Sequence, residues 1–200
     1  MRIYLASRSP RRRELLHQID VHFDTLLFRT PPRDDTDVSE EVLTGEDAES
    51  YVVRVARAKA QGGLQRVSWR HLVAQPVLAA DTTIDLDGEI IGKPADAQDA
   101  INILRRLSGR THRVLTCIAL AYGPALEHRL NINEVRFSSL SEDDIRRYVA
   151  SGEPMDKAGA YGIQGRAAAF IAEIRGSYSG IMGLPLFDTT ELIRHFKGKG

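Results

Sequence analysis

A chain of 200 residues with 42% hydrophobic content can bury one substantial core, or two lobes sharing a sheet, and would leave two independent domains small. Its 27 basic and 27 acidic residues cancel, so no global field favours nucleic acid or an anionic membrane, and any anion site has to be a local cluster. One cysteine, Cys117, excludes an internal disulfide and a thiolate-rich zinc site, and no apolar run approaches the roughly 18 residues of a membrane span.

The opening Met1-Arg2-Ile3-Tyr4-Leu5 is too short in apolar length for a signal peptide, which predicts a soluble, cytoplasmic protein with Cys117 in a core strand. Six histidines, at positions 17, 22, 71, 112, 128 and 195, show no ligand spacing and read as structural or exposed. Ile3 to Ala6 reads as a short buried strand. Ser9 is then a natural N-cap, with Pro10 at the first helical position. Arg11, Arg12 and Arg13 fill the first turn, where the helix dipole favours acids. A bound anion would resolve that conflict, making the turn from Ser7 onward a phosphate site; the bland alternative is a solvated basic turn.

Phe23 opens one apolar stretch, and Thr30 to Asp35 reads as a loop by its prolines. Glu46 to Ala60 is predicted helical, ending at Gly62-Gly63, with Gln65 to Gln75 an irregular polar connector. The helix carries the stripe Val52, Val55, Ala56 and, seven after Val52, Lys59. A lysine in a core-facing row either lines an interior cleft or snorkels along the stripe.

The stretch from Pro76 to Pro94 organises the chain. Val77 to Ala80 suits a strand buried on both faces, and it runs straight into Asp81, whose carboxylate must face a cleft, a metal or a cation. Asp87-Gly88 between alternating apolar residues signals a hairpin that pairs Leu86 with Glu89, Ile84 with Ile91 and Thr82 with Lys93. A carboxylate, a hydroxyl and an ammonium then converge at one strand end, as a functional site or as an ion pair capping a hairpin.

Asp96 caps a helix with the row Ala97, Ala100, Ile101, Leu104, Leu107, ended by Gly109. Val114 to Tyr122 is a second apolar strand, Leu130 to Phe137 a more polar outer strand, and Ser141 opens a helix closed by Gly152. Pro154 to Gly165 holds three glycines beside Asp156, Lys157, Tyr161 and Gln164, so it reads as a loop that lets backbone approach a ligand. Ala168 to Ile174 reads as a third buried strand, and Gly183-Leu184-Pro185 opens the last helix.

Six segments together resemble the Maf family of nucleoside triphosphate pyrophosphatases. They are Leu5 to Arg12, Arg54 to Ala60, Ala80-Asp81-Thr82, Gly92-Lys93-Pro94, Asp156 to Gly165, and Gly176-Ser177-Tyr178 with Gly183-Leu184-Pro185, in the family's order. The Tyr161-Gly162-Ile163-Gln164 form looks like the branch acting on dTTP and UTP. The resemblance implies an α/β (mixed α+β), Maf/ITPase-like fold over residues 1–200 as a single domain: a long twisted mixed sheet flanked by helices, with two lobes around a deep cleft. It makes Asp81 the catalytic carboxylate and metal ligand, and links Arg11, Thr82 and Gln164 to substrate choice. Ser7, Arg12, Lys59, Lys93, Asp156 and Lys157 match other polar positions of the cleft. Many members carry a Val-Asp-Glu carboxylate pair after the second strand, whereas here Arg29-Thr30-Pro31-Pro32-Arg33-Asp34-Asp35 stands in that place.

The implied reaction is hydrolysis of dTTP and UTP to the monophosphate and pyrophosphate, with Mg²⁺ or Mn²⁺ as cofactor and the cationic side chains holding the triphosphate. Gln164 would read the base, with Thr82 or Tyr161 fixing its amide. The expected partners are a nucleoside triphosphate and a second copy in a homodimer, with no nucleic acid and no membrane. Two alternatives are a nucleotide-sensing regulator of cell division and a pyrophosphatase for modified nucleotides such as 7-methylguanosine triphosphate.

Overall fold

The structure, a computed structural model, describes residues 2–27 and 38–197. Among these, seven strands form one mixed sheet in the order β2-β1-β3-β5-β6-β7, and β4 pairs with β3 off that path. In chain order the strands are β1 (Ile3–Leu5), β2 (Phe23–Thr25), β3 (Val77–Leu86), β4 (Glu89–Ile91), β5 (Thr111–Tyr122), β6 (Ala125–Phe137) and β7 (Ile171–Arg175). The helices are α1 (Pro10–Gln18), α2 (Ala48–Trp69), α3 (Ala97–Leu107), α4 (Glu142–Ala150), α5 (Tyr178–Ile181) and α6 (Leu186–Lys197). No helix among the described residues is long and apolar enough to cross a membrane.

Strand alternation sorts the central residues onto two faces. Val77 and Ala79 pack with Val52, Val55 and Ala56 of α2, whereas Leu78, Ala80, Ile84 and Leu86 join the larger core with α1, α3, α4 and α6. Asp81 therefore faces α2, and Thr82 faces the opposite side. Cys117 lies opposite Asp81 in the β3–β5 ladder, fully buried, and burial pushes its thiol up to about 12, with the charge of Asp81 adding to the effect.

The hairpin forms with Leu86 opposite Glu89 and Ile84 opposite Ile91. It does not extend to Thr82 and Lys93. The chain leaves the sheet after Ile91, and the Gly92 carbonyl accepts from Gly159 N at 2.9 Å. On this same edge, away from β5, β3 pairs with β1 only at Val77 and Leu78. The edge of β3 between these two partners is thus open to a ligand from both faces of the sheet.

Three expected elements are corrected. Helix α2 runs through Gly62-Gly63 to Trp69 and absorbs the first part of the expected connector, Gln65 to Trp69. A Cβ at Gly63 would sit 2.7 Å from Val77 Cγ1, so glycine here permits close helix–sheet packing rather than a stop. Strand β6 is not the outer one; it lies between β5 and β7. The expected third buried strand starts only at Ile171, after a 3₁₀ turn over Arg166–Phe170, and is a largely exposed edge strand.

His112 on β5 is 2% exposed, its Nε2 lies 2.8 Å from Tyr161 Oη, and Nδ1 has no partner among the described residues. Burial pushes its pKa down to about 4, so the folded protein holds it neutral. Below about pH 6.5 the unfolded chain takes up a proton that the native state refuses. This site should therefore cost about 3 kcal/mol of stability as pH falls from 6.5 to 4, and no more below that. Urea unfolding of wild type and His112→Gln across this range should show the variant losing that part of the acid sensitivity; parallel profiles would contradict it.

Candidate active site

The open edge of β3 forms the floor of a cleft of about 930 Å³. Every residue singled out above for substrate or metal lines it: Ser7, Arg11, Arg12, Lys59, Asp81, Thr82, Lys93, Asp156, Lys157 and Gln164. The α2 stripe carries Lys59 toward the sheet, where Nζ donates to Asp81 Oδ1 at 2.8 Å. With Lys59 and Asp81 side chains only 15% and 10% exposed, Lys59 lines the cleft rather than snorkelling to solvent.

The same ammonium pairs with Glu40, a residue that the sequence reading missed. Burial works to raise the Glu40 pKa, but Lys59, with Lys93 and Arg12, holds it below the usual carboxylate range. Tyr51 Oη donates to the Glu40 carbonyl at 3.0 Å, and Arg54 Nη2 donates to the Glu41 carbonyl at 2.9 Å, which fixes the approach to α2. A signal was available. Val38-Ser39-Glu40, downstream of Arg29 to Asp35, differs from Val-Asp-Glu only by serine for aspartate. Arg29 to Asp35 lie outside the described residues.

On the opposite side of β3, Arg12 knits three segments together. Nε donates to the Gly183 carbonyl at 2.8 Å, Nη1 to the Ala80 carbonyl at 2.8 Å and to Ser7 Oγ at 3.3 Å, and Nη2 to Thr82 Oγ1 at 3.2 Å. Burial lowers its pKa, partly offset by the charges of Asp81 and Glu40. Ser9 occupies the cap position of α1 without a side-chain bond; its own N–H donates to Ser7 Oγ at 3.2 Å. The first turn has no acid, so nothing within it offsets the positive charge that Arg11 and Arg12 bring to the cleft end of α1.

The far wall is the glycine-rich loop. Lys157 Nζ donates to the Glu153 carbonyl at 2.6 Å and to Asp156 Oδ1 at 2.5 Å. Glu153 accepts from Tyr148 Oη at 3.0 Å and from Arg166 N at 3.2 Å, and a Cβ at Gly165 would come 1.9 Å from its Oε1. Gly159, at φ +70°, lies where a Cβ would fall 2.0 Å from Ile84 Cδ1. Gln164 is exposed at the rim. Neither expected neighbour fixes its amide, because Tyr161 Oη turns inward to His112 and Thr82 is bonded to Arg12 and Thr116.

Among the described residues no group of three or more His, Cys, Asp or Glu converges. The two carboxylates that meet at Lys59 are hard oxygen donors, a set that suits Mg²⁺ or Mn²⁺ when substrate phosphates complete the coordination.

A family model described as Maf-like protein matches residues 2–196. The dTTP/UTP pyrophosphatase of Aromatoleum aromaticum is 62% identical over 196 residues, covering 98% of this chain and 95% of that protein. That of Dechloromonas aromatica is 57% identical over 194 residues, covering 97% and 96%. The solved structure of the Staphylococcus aureus Ham1 protein aligns over 100% of both chains with a TM-score of 0.50 at 15% identity, a likeness of fold alone. With its motifs spread along the sheet edge and the family model spanning nearly its whole length, the chain belongs to the Maf family.

Proposed function

We propose that this protein hydrolyses dTTP and UTP between the α and β phosphates, releasing the nucleoside monophosphate and pyrophosphate. The observation that carries the reading is the Asp81–Lys59–Glu40 contact at the floor of a cleft whose walls present Arg11, Lys93 and Lys157. Relatives named for this activity, of nearly equal length, support the choice of substrate.

In this mechanism Asp81 is the general base. Its carboxylate takes a proton from a water directed at the α phosphorus, as the bond to the bridging oxygen breaks and pyrophosphate leaves. Arg11, Lys93 and Lys157 hold the polyphosphate and offset the charge that develops on the leaving group. Lys59 holds the Glu40 carboxyl below the usual range, pairs with Asp81, and is poised to turn toward phosphate. Asp81 and Glu40 would hold Mg²⁺ or Mn²⁺, which when bound would neutralise phosphate charge and polarise the reacting bond.

Asp81→Asn keeps the size of the side chain and loses its charge and basicity, so kcat should fall about 10²- to 10⁴-fold with the fold intact. Titration calorimetry with Mn²⁺ should show both Asp81→Asn and Glu40→Gln weakening binding at least about tenfold, the worth of one charged contact. Near-normal turnover by a folded Asp81→Asn protein would sink the assignment.

Lys59→Ala leaves two carboxylates facing one another without their cation. It should lower kcat/KM at least about tenfold and move the acid limb of the pH–rate profile upward, because like charges resist joint ionisation. A change confined to thermal stability would remove Lys59 from the mechanism.

Gln164→Ala should narrow the gap between UTP and CTP chiefly by lowering UTP turnover, since the amide supplies both a donor and an acceptor to the pyrimidine edge. A wild-type preference for a purine triphosphate would contradict the base-reading role.

A further inference from the structure

Gln164 is exposed and no partner among the described residues sets the orientation of its amide, so its preference for uracil over cytosine needs a second group of fixed polarity beside it. A fixed polarity has to come from a group whose proton is already committed. Thr82 is such a group. Arg12 can only donate, and its Nη2 lies 3.2 Å from Thr82 Oγ1, which therefore accepts. Thr116, fully buried on β5, has its Oγ1 2.8 Å from the Gly180 carbonyl, which can only accept, so Thr116 must donate its single proton there. The 2.9 Å contact between the two threonines then has one possible direction: Thr82 donates to Thr116.

With its proton spent and one lone pair taken by Arg12, Thr82 can offer the cleft only an acceptor. The cleft side is kept clear by Gly183, at φ +109°, where an added Cβ would come 3.3 Å from Thr82 Oγ1. We infer that Thr116 is a positioning residue for substrate choice, holding Thr82 as an obligate acceptor that selects a ring N3–H, present in uracil and thymine and replaced by a lone pair in cytosine. This inference rests on the pyrimidine triphosphate reading above. Thr116 touches no substrate; it acts through the orientation of another residue's proton.

Thr116→Val keeps the shape and removes the acceptor of the Thr82 proton, freeing that proton for cytosine N3. The kcat/KM ratio of UTP to CTP should fall about tenfold, one hydrogen bond's worth, with CTP turnover rising, while Thr116→Ser retains the wild-type ratio. Wild type should also discriminate against 3-methyluridine triphosphate, which lacks the N3–H. Equal losses for UTP and CTP in a folded Thr116→Val protein would overturn the inference. So would wild-type turnover of the 3-methyl nucleotide at the UTP rate, a measurement that decides the matter even where the valine variant does not fold. A wild type that hydrolyses neither UTP nor dTTP removes the pyrimidine reading itself, and the inference with it.

Discussion

The guanidinium of Arg12 is the constraint on which the cleft depends. It spans the loop after β1, the open edge of β3 and the turn at Gly183, segments up to 171 positions apart in the chain. The Ala80 carbonyl faces a gap where a neighbouring strand would otherwise bond it, and Arg12 fills that need. Withdrawing the guanidinium would strip the buried Ala80 and Gly183 carbonyls of this donor, at about 1–3 kcal/mol each. Burying it is costly too, as its lowered pKa shows, and the charges of Asp81 and Glu40 offset part of that cost. A residue placed where a basic turn alone would suggest a phosphate contact thus has most of its donors committed to architecture.

The interruption of the sheet explains how one ligand can meet residues from both of its faces. Along an intact strand, Asp81 and Thr82 would be separated by the sheet itself. Because β1 and β4 each cover only one end of β3, the intervening edge exposes both side chains to a single cavity. The α2 face supplies the paired carboxylates and their ammonium, and the opposite face supplies a chain of hydroxyls backed by Arg12 and Gly180. The charged groups and the hydroxyl chain of the cleft are in this way divided between two packing environments.

Much of this was legible before the structure. The Asp87-Gly88 turn set the hairpin register to the residue, because period-two alternation leaves a short strand little choice. Lys59 stood out in the α2 stripe because its neighbours on that row are apolar and buried, but the row alone left a cleft lysine and a snorkelling one both open until the contact with Asp81 chose between them. The failures have physical causes. Gly62-Gly63 resembled a helix end, but a glycine can equally mark close packing, and only the position of Val77 distinguishes the two. Strand β6 is polar because its partner at the sheet edge is short, which no local pattern reveals. Glu40 sits in a run of acidic and small residues, and its place in the cleft depends on a lysine 19 positions later that also holds a carboxylate 41 positions later. The proton order through Thr82 and Thr116 needs a carbonyl from a third segment and is invisible to any motif.

The burial of Cys117 beneath Asp81 has a practical consequence. It is the chain's single thiol, held protonated and out of solvent between the sheet and α2, so alkylating reagents cannot reach it until α2 lifts from β3 and β5. Its labelling rate is therefore a clock for the opening of the interface between that helix and the sheet. The same inertness makes the native chain a blank background for spectroscopy: a cysteine introduced at the cleft rim would be the one thiol to accept a spin label or fluorophore, with no need to alter the core.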